Sequence, residues 1–363
     1  MEPPAPADAR LAIGARALGV RFPLVQAGMG GVAGPRLAAA VSGAGALGTV
    51  ALYRSPPAGC ARLVTRTAEL TDRPFAVGFV PEVAGPLLAE QLAAVLAAAD
   101  RPLTFTSFGP PTAAFAAGAR AGGHRLLVQV GSLAEARTAL RLGADVLALQ
   151  GEEAGGRHLG GTAVRRLLAE TVAAAPGVPL LVAGGLHDGR QLRAAAAAGA
   201  HGAVAGTLFA AAAESDAHPD YRRALVTAGP GATVVTDRFA LGWPGRRHRV
   251  LAGPVTDAER PPPAAVIGWL VQDGVRHPVP RGAATVPTVR VEGAVGEMAR
   301  YAGTGSAAIR AVLPAARLVD RLRAEAAADA PARPVPGTAA RTLSDSPPDF
   351  PPVFPPDFPP VSQ

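Results

Sequence analysis

A single cysteine, Cys60, stands among 363 residues, and lysine does not occur at all. One thiol excludes a disulfide framework and a cysteine-based zinc site, and nothing else in the sequence marks a metal site; a reducing interior is the natural setting. Charge is also scarce. Only 17% of residues are charged, and the positive side of the formal net charge of +7 is all arginine. Nucleic-acid binding needs basic residues gathered on one face or helix. Here they are dispersed, and the cluster Arg246, Arg247, His248 and Arg249 is short and isolated, so no nucleic-acid partner is expected. Long apolar runs are missing too, because Gly, Pro and Arg interrupt every alanine-rich stretch. The N-terminus, "MEPPAPADAR", has no basic region followed by an apolar one. A soluble, cytoplasmic protein with no membrane partner is the expectation.

What the chain does have is rhythm. After residues 1–12, expected to be a flexible N-terminus, short β-prone runs alternate with alanine- and leucine-rich segments of helical period. The runs are "FPLVQAG", "ALGTVAL", "FAVGFV", "PLTFTSFG", "RLLVQVG", "DVLALQG", "VPLLVAGG" and "HGAVAGTLF". Eight of them match the strand count of an α/β (β/α)8 TIM barrel over residues 13–215. They are almost continuously apolar, as strands covered on both faces are. "SLAEARTALRLGA" shows the helical punctuation: Ser132 as cap, Glu135 three residues on and Gly143 at the end. A doubly wound sheet would alternate in the same way, and the strand count together with the placement of glycine favours the barrel.

Residues 216–300 lose this rhythm and are rich in Pro, Arg and Gly with weak helical patterns. With the amphipathic stretch that follows, which Pro314 should bend or break and which either caps the lid or packs back on the barrel, residues 216–330 read as a C-terminal lid or satellite segment. From 331 to 363 a disordered proline-rich tail ends "PPDFPPVFPPDFPPVSQ". It either recruits a partner that takes polyproline ligands or has none.

Barrels often hold a phosphate in the loops after strands seven and eight, where unpaired backbone N–H groups face the anion. The seventh run ends "VAGGLHDG" and the eighth "VAGTLF", making Ala183, Gly184, Gly185, Gly206 and Thr207 a phosphate cradle. Either loop alone would serve equally as a tight turn; two at consecutive expected positions favour the phosphate. The loop after the first strand, "QAGMGGVAG", is also glycine-dense. After the sixth strand, "LALQGEEAGGRHLGGT" crowds two carboxylates, a Gly-Gly pair, an arginine and a histidine. Together these loops describe a pocket for a flat ring with a phosphate tail, a shape that flavin mononucleotide (FMN) fits.

Four stretches, "PLVQAGMGGVAGPRLAAAVSGAGALGTV", "VQVGSLAEARTALRLGADVLALQGEEAGG", "VPLLVAGGLHDGRQLRAAAAAGAHGAVAGTLF" and "YAGTGSAAIRAVLPAARLVDRLRAEA", resemble the nitronate monooxygenases, formerly called 2-nitropropane dioxygenases. The same motifs resemble the FMN-dependent enoyl-acyl carrier protein reductases. The resemblance implies FMN held by Ala183–Gly185 and Gly206–Thr207. It implies that Ala27, Gly28, Met29 and Gly30 border the flavin ring, that Gln129 points at it, and that Gly155 and Gly156 are the family's Gly-Gly pair. The residue after that pair is usually a histidine, taken as the base toward the nitro-bearing carbon or as support for the nitronate anion.

Here Arg157 holds that place, with His158 one step later. Arginine stays charged and holds an anion but cannot take a proton, whereas histidine titrates near neutrality. His158 is therefore either a base reached by a shift of register or a loop histidine facing solvent. Two further departures are Gly28, where proline is common, and Gly78 or Phe79, where an asparagine is usual. Glu152 and Glu153 read as structural, and Cys60 as buried and inert. His187 and His201 are expected beside the phosphate loops, and His124, His218, His248 and His277 at the surface. The implied activity is oxidation of an alkyl nitronate or nitroalkane by dioxygen to a carbonyl compound and nitrite. The alternatives are an FMN-dependent NAD(P)H reductase of the enoyl-acyl carrier protein reductase type, and a catalytically decayed flavin-binding protein.

Overall fold

The computed structural model describes residues 6–174, 177–260, 263, 265–272 and 274–328; the expected proline-rich tail lies outside them. Eight parallel strands form one sheet: β1 (Leu24–Gln26), β2 (Gly48–Ala51), β3 (Phe75–Phe79), β4 (Thr104–Phe108), β5 (Arg125–Val130), β6 (Val146–Gln150), β7 (Leu180–Ala183) and β8 (Gly202–Ala205). Each falls within one of the eight apolar runs. β1 pairs with β8, and the Leu47 N–H donates to Leu24 O at 2.9 Å while the Gln26 N–H donates to Leu47 O at 2.9 Å, which joins β1 to the start of β2 and closes the barrel.

Alternation along the strands divides the core in two. Val25, Ala76, Leu127, Val146, Ala148, Leu181 and Val204 fill the lumen. Their neighbours Leu24, Val77, Leu126, Val128, Leu147 and Leu180 face the surrounding helices. Leu147 and Leu181 are fully buried, so both faces of a strand are covered and the runs read as continuously apolar. The helix Leu133–Arg141 starts where expected, the Ser132 hydroxyl accepting the Glu135 N–H at 3.2 Å, and Gly143 follows its end at φ 80°.

Two expectations about organisation need correction, and one alternative left open by the sequence is decided. A helix, Ala7–Leu18, begins inside the stretch taken as a flexible N-terminus; its last residue, Leu18, belongs to the lumen cluster, and its Gly14 lies against the His201 backbone. Residues 216–300 hold the helices Pro219–Thr227 and Pro254–Asp257, but their organising elements are strands rather than weak helix. β9 (Thr233–Thr236), β10 (His248–Leu251) and the two residues Gly156–Arg157 make one antiparallel sheet, and β11 (Val266–Gln272), β12 (Val275–Pro280) and β13 (Val291–Gly293) make another. Finally, the helix Ala315–Ala327, which starts directly after Pro314, belongs to the barrel. It packs against Gly189–Ala197, the helix after β7, and Pro35–Gly43, the helix after β1. The Gly189 N–H donates to Glu325 Oε2 at 2.9 Å and Arg323 to Ala44 O at 2.6 Å. It thus fills the place of the helix that follows β8, and the sheets of residues 216–314 are an insertion between a strand and its own helix.

Candidate active site

The C-terminal ends of the strands form the mouth where barrel enzymes place their chemistry. Strand alternation points Gln129 inward there, half-buried, paired in register with Phe108 on one side and Ala148 on the other. Gly28 and Gly78 face each other below it: a Cβ on either would lie 3.6 Å from the other's Cα and 3.4 Å from Thr49 Cγ2. The side chains missing at these two positions leave bare backbone beside the buried Thr49 hydroxyl, which has no hydrogen-bond partner. A Cβ on Gly206 would lie 3.6 Å from Ala27 Cβ and 3.8 Å from Met29 Sδ. The loops after β1 and β8 therefore meet.

The turn after β7 is built from glycine in conformations that side chains resist, φ 138° at Gly184 and 69° at Gly185. The backbone N–H groups of Gly184, Gly185, Gly206 and Thr207 donate to no backbone acceptor among the described residues. The Thr207 hydroxyl accepts the Gly303 N–H at 2.9 Å, which leaves its own proton free to donate. Such a set of donors fits a phosphate. One element of this region went unrecognised in the sequence, the segment Ala302–Gly305. A Cβ on Gly155 would come 2.5 Å from Gly303 N, the Thr304 N–H donates to Glu153 O at 3.0 Å, and a Cβ on Gly185 would meet Thr304 Oγ1 at 2.9 Å. The "GTG" of this segment was the available signal, since close backbone approach needs glycine on both sides.

The loop after β6 turns on Gln150, fully enclosed, whose Nε2 donates to Arg157 O at 2.9 Å and whose Oε1 accepts the Leu159 N–H at 2.7 Å. Glu153 is structural, accepting the Val164 N–H at 3.0 Å. Arg157 and His158 part company. His158 is buried, its Nε2 lies 2.8 Å from Ala154 O within its own loop, and burial holds its pKa below the ordinary value. It does not face solvent. Arg157 is also buried, and its guanidinium enters the insertion: Nη1 lies 3.1 Å from Arg246 O and 2.9 Å from His248 Nδ1, and Nη2 donates to Phe239 O. Its carbon lies 5.3 Å from the Trp243 ring centre and 6.0 Å from that of Tyr301. No carboxylate pairs with it among the described residues, and its Nε has no partner.

Aromatic side chains carry this cluster across the mouth. Trp243 lies 5.8 Å from Tyr53, after β2, and 5.6 Å from Phe108, at the end of β4. Tyr53 in turn lies against Gly30, where a Cβ would come within 3.0 Å of the ring. Glu82, after β3, holds the insertion down, accepting from Trp243 Nε1 at 3.1 Å and from Arg246 Nε at 2.6 Å. Tyr53, Glu82, Trp243 and Tyr301 were not foreseen, since nothing in their local sequence marks them; the one local sign is the φ of 47° at Tyr53, visible only in the backbone. Two histidine expectations are overturned. His248 is 0% exposed rather than at the surface. His201 precedes β8 at the opposite end of the barrel, where its Nδ1 accepts the Leu180 N–H at 3.1 Å, so it cannot assist a phosphate. His187 does sit by the Gly184–Gly185 turn, its Nδ1 3.0 Å from Gly185 O. Cys60 is buried as expected, and burial pushes its thiol up to about 11.

A closed barrel with a glycine-lined donor cradle and a covered mouth defines an enzyme of the barrel class that works on a small molecule. The family model for nitronate monooxygenase matches residues 15–325, and the chain belongs to that family, whose members are flavin-dependent oxidoreductases. It is 31% identical to a nitronate monooxygenase of Paraburkholderia phytofirmans, over 85% of this chain and 93% of that protein. It is 34% identical to the (3aS,4S,5R,7aS)-5-hydroxy-7a-methyl-1-oxo-octahydro-1H-indene-4-carboxyl-CoA dehydrogenase of Mycobacterium tuberculosis, over 64% of this chain and 64%, less than two-thirds, of that protein's length. Among solved structures it is similar to FabK from Thermotoga maritima, with a TM-score of 0.70 and 26% identity over 86% of this chain and 94% of that one.

Proposed function

We propose that the protein binds FMN and oxidises alkyl nitronates with dioxygen, giving a carbonyl compound and nitrite, as a cytoplasmic enzyme. The observation that carries this reading is the Arg157 guanidinium: buried at the mouth, without a carboxylate and with an N–H unspent. A permanent cation in a covered site favours a substrate that is already an anion. Arg157 holds the nitronate, and the insertion, carrying Trp243 over the mouth, acts as a lid that excludes water. Gly184, Gly185, Gly206 and Thr207 take the phosphate of FMN, while Ala27, Gly28, Met29, Gly30, Gln129, Gly155 and Gly156 border its ring. FMN, when bound, supplies the electron acceptor and the route to dioxygen. His158, tied to Ala154 O, keeps the loop folded rather than acting as base.

The test is anaerobic. Propionate 3-nitronate added to the purified yellow protein should bleach the flavin absorbance, and NADPH in a separate cuvette should not. A second reading, a reductase of the enoyl-acyl carrier protein type, has the likeness to FabK in its favour; bleaching by NADPH alone would establish it. A protein that takes up no FMN would remove both.

A further inference from the structure

We propose that His248 is a positioning residue. It fixes the Arg157 guanidinium so that its unspent Nε–H is held for an oxygen of an anion. This rests on the reading of Arg157 as the anion holder. In the antiparallel register of β10 with Gly156–Arg157, His248 stands directly opposite Arg157. The imidazole is sealed from solvent, with the rings of Phe239 and Tyr301 centred 5.9 Å away on either count.

A closed circuit of contacts follows. The Phe239 N–H donates to His248 Nε2 at 3.2 Å, His248 Nδ1 lies 2.9 Å from Arg157 Nη1, and Arg157 Nη2 donates back to Phe239 O. Arg246 O stands 3.1 Å from both Nη1 and Nδ1. Because Nε2 accepts from Phe239, the proton of the neutral ring is on Nδ1 and goes to Arg246 O; Nδ1 does not accept from Arg157, and the two side chains are joined by the Arg246 carbonyl and the Phe239 backbone, which both of them use. A second proton on the ring would face the Phe239 N–H and sit beside a guanidinium. The ring is therefore neutral, and burial and Arg157 hold its pKa down to about 4. Nη1 and Nη2 each place an N–H on a backbone carbonyl, Arg246 O and Phe239 O, and Nε has no partner. The guanidinium thus has one rotational setting, and flexible arginine becomes a fixed donor without the carboxylate that usually orients it and would cancel its charge.

Anion binding can be read without turnover. Trp243 and Trp269 are the only tryptophans, and Trp269 lies in β11 of the second sheet. Trp269→Phe in the full-length holoprotein makes Trp243, 5.3 Å from the guanidinium, the sole reporter. Propionate is the probe, with chloride at equal ionic strength as control. Saturable fluorescence change is expected, weakened about tenfold or more by Arg157→Ala, the scale of one charge-assisted hydrogen bond. His248→Ala should weaken it comparably, and the double variant no further, because both act on one interaction. His248→Asn, which keeps a polar group near the Nδ1 position, should recover part of the affinity and guards against a folding defect. Additive losses, or full affinity in His248→Ala, would overturn the positioning role. No propionate binding in the wild-type sequence would overturn it as well. Propionate binding without nitronate oxidation would leave the positioning role standing and remove only the proposed substrate.

Discussion

At the residue scale, the two glycines before Arg157 look interchangeable in sequence and differ in space. Gly155 has an ordinary backbone but is pressed against Gly303 N, whereas Gly156 has φ 83° with open space where a Cβ would stand. Gly155→Ala should cost about 1–3 kcal/mol as overpacking against backbone that cannot move aside, and lower FMN affinity by displacing the Ala302–Gly305 segment from the phosphate loops. Gly156→Ala should cost only the left-handed conformation, about 1 kcal/mol, and lower FMN affinity less than Gly155→Ala does. Urea denaturation and FMN titration of the two variants separate the cases. The glycines were legible as a motif, since their spacing is local. His248 was not. The polar run Arg246–Arg249 looks like surface because burial of a histidine depends on what β10 pairs with, and its partner lies 91 residues away in sequence.

At the scale of elements, the insertion is held to the barrel by contacts of unequal kind. Its strand β10 pairs with the loop after β6, a backbone tie that no single side chain controls. Its tip is tied by Glu82, whose two oxygens receive Trp243 and Arg246, beside Arg54, which donates to Gly242 O, and the His158 N–H, which donates to Arg247 O at 2.9 Å. That carboxylate is about one-third exposed, so its ion pair is worth only about 0–1 kcal/mol of global stability. Glu82→Ala should therefore barely move the unfolding midpoint while raising amide hydrogen exchange across residues 239–247 and raising KM for the nitronate more than it lowers kcat. A large loss of global stability would show that the contact serves the fold rather than the lid. The eight barrel strands were readable because each is a short apolar run bounded by glycine or proline. The strands of the insertion were not, since they are short or cut by Pro, Gly and Arg and only pairing reveals them.

For the whole molecule, buried histidines set the response to acid. Burial, with Arg157 beside it, holds His248 down to about 4, and burial also lowers His158, His124 and His201. A folded-state pKa below the unfolded one means that the unfolded chain binds more protons between the two. Stability is then full above the ordinary histidine value of about 6.5 and is lost as pH falls toward 4, by about 3 kcal/mol from His248 alone. Urea midpoints at pH 7 and pH 5 should fall accordingly, with a smaller drop in His248→Gln. An equal drop in the variant would place the acid sensitivity elsewhere.

The sequence by itself determined the barrel, its strand order and the glycine loops that ring its mouth, because hydrophobic period and glycine placement act over a few residues. Tertiary structure alone decided that the insertion divides β8 from its helix, that the C-terminal helix completes the ring, and that Arg157 turns toward the lid while His158 turns into its own loop. An amphipathic helix carries the same pattern whichever surface it covers, and a side chain's direction in a glycine-rich loop is set by the partners that reach it, here from β10 and the Phe239 backbone.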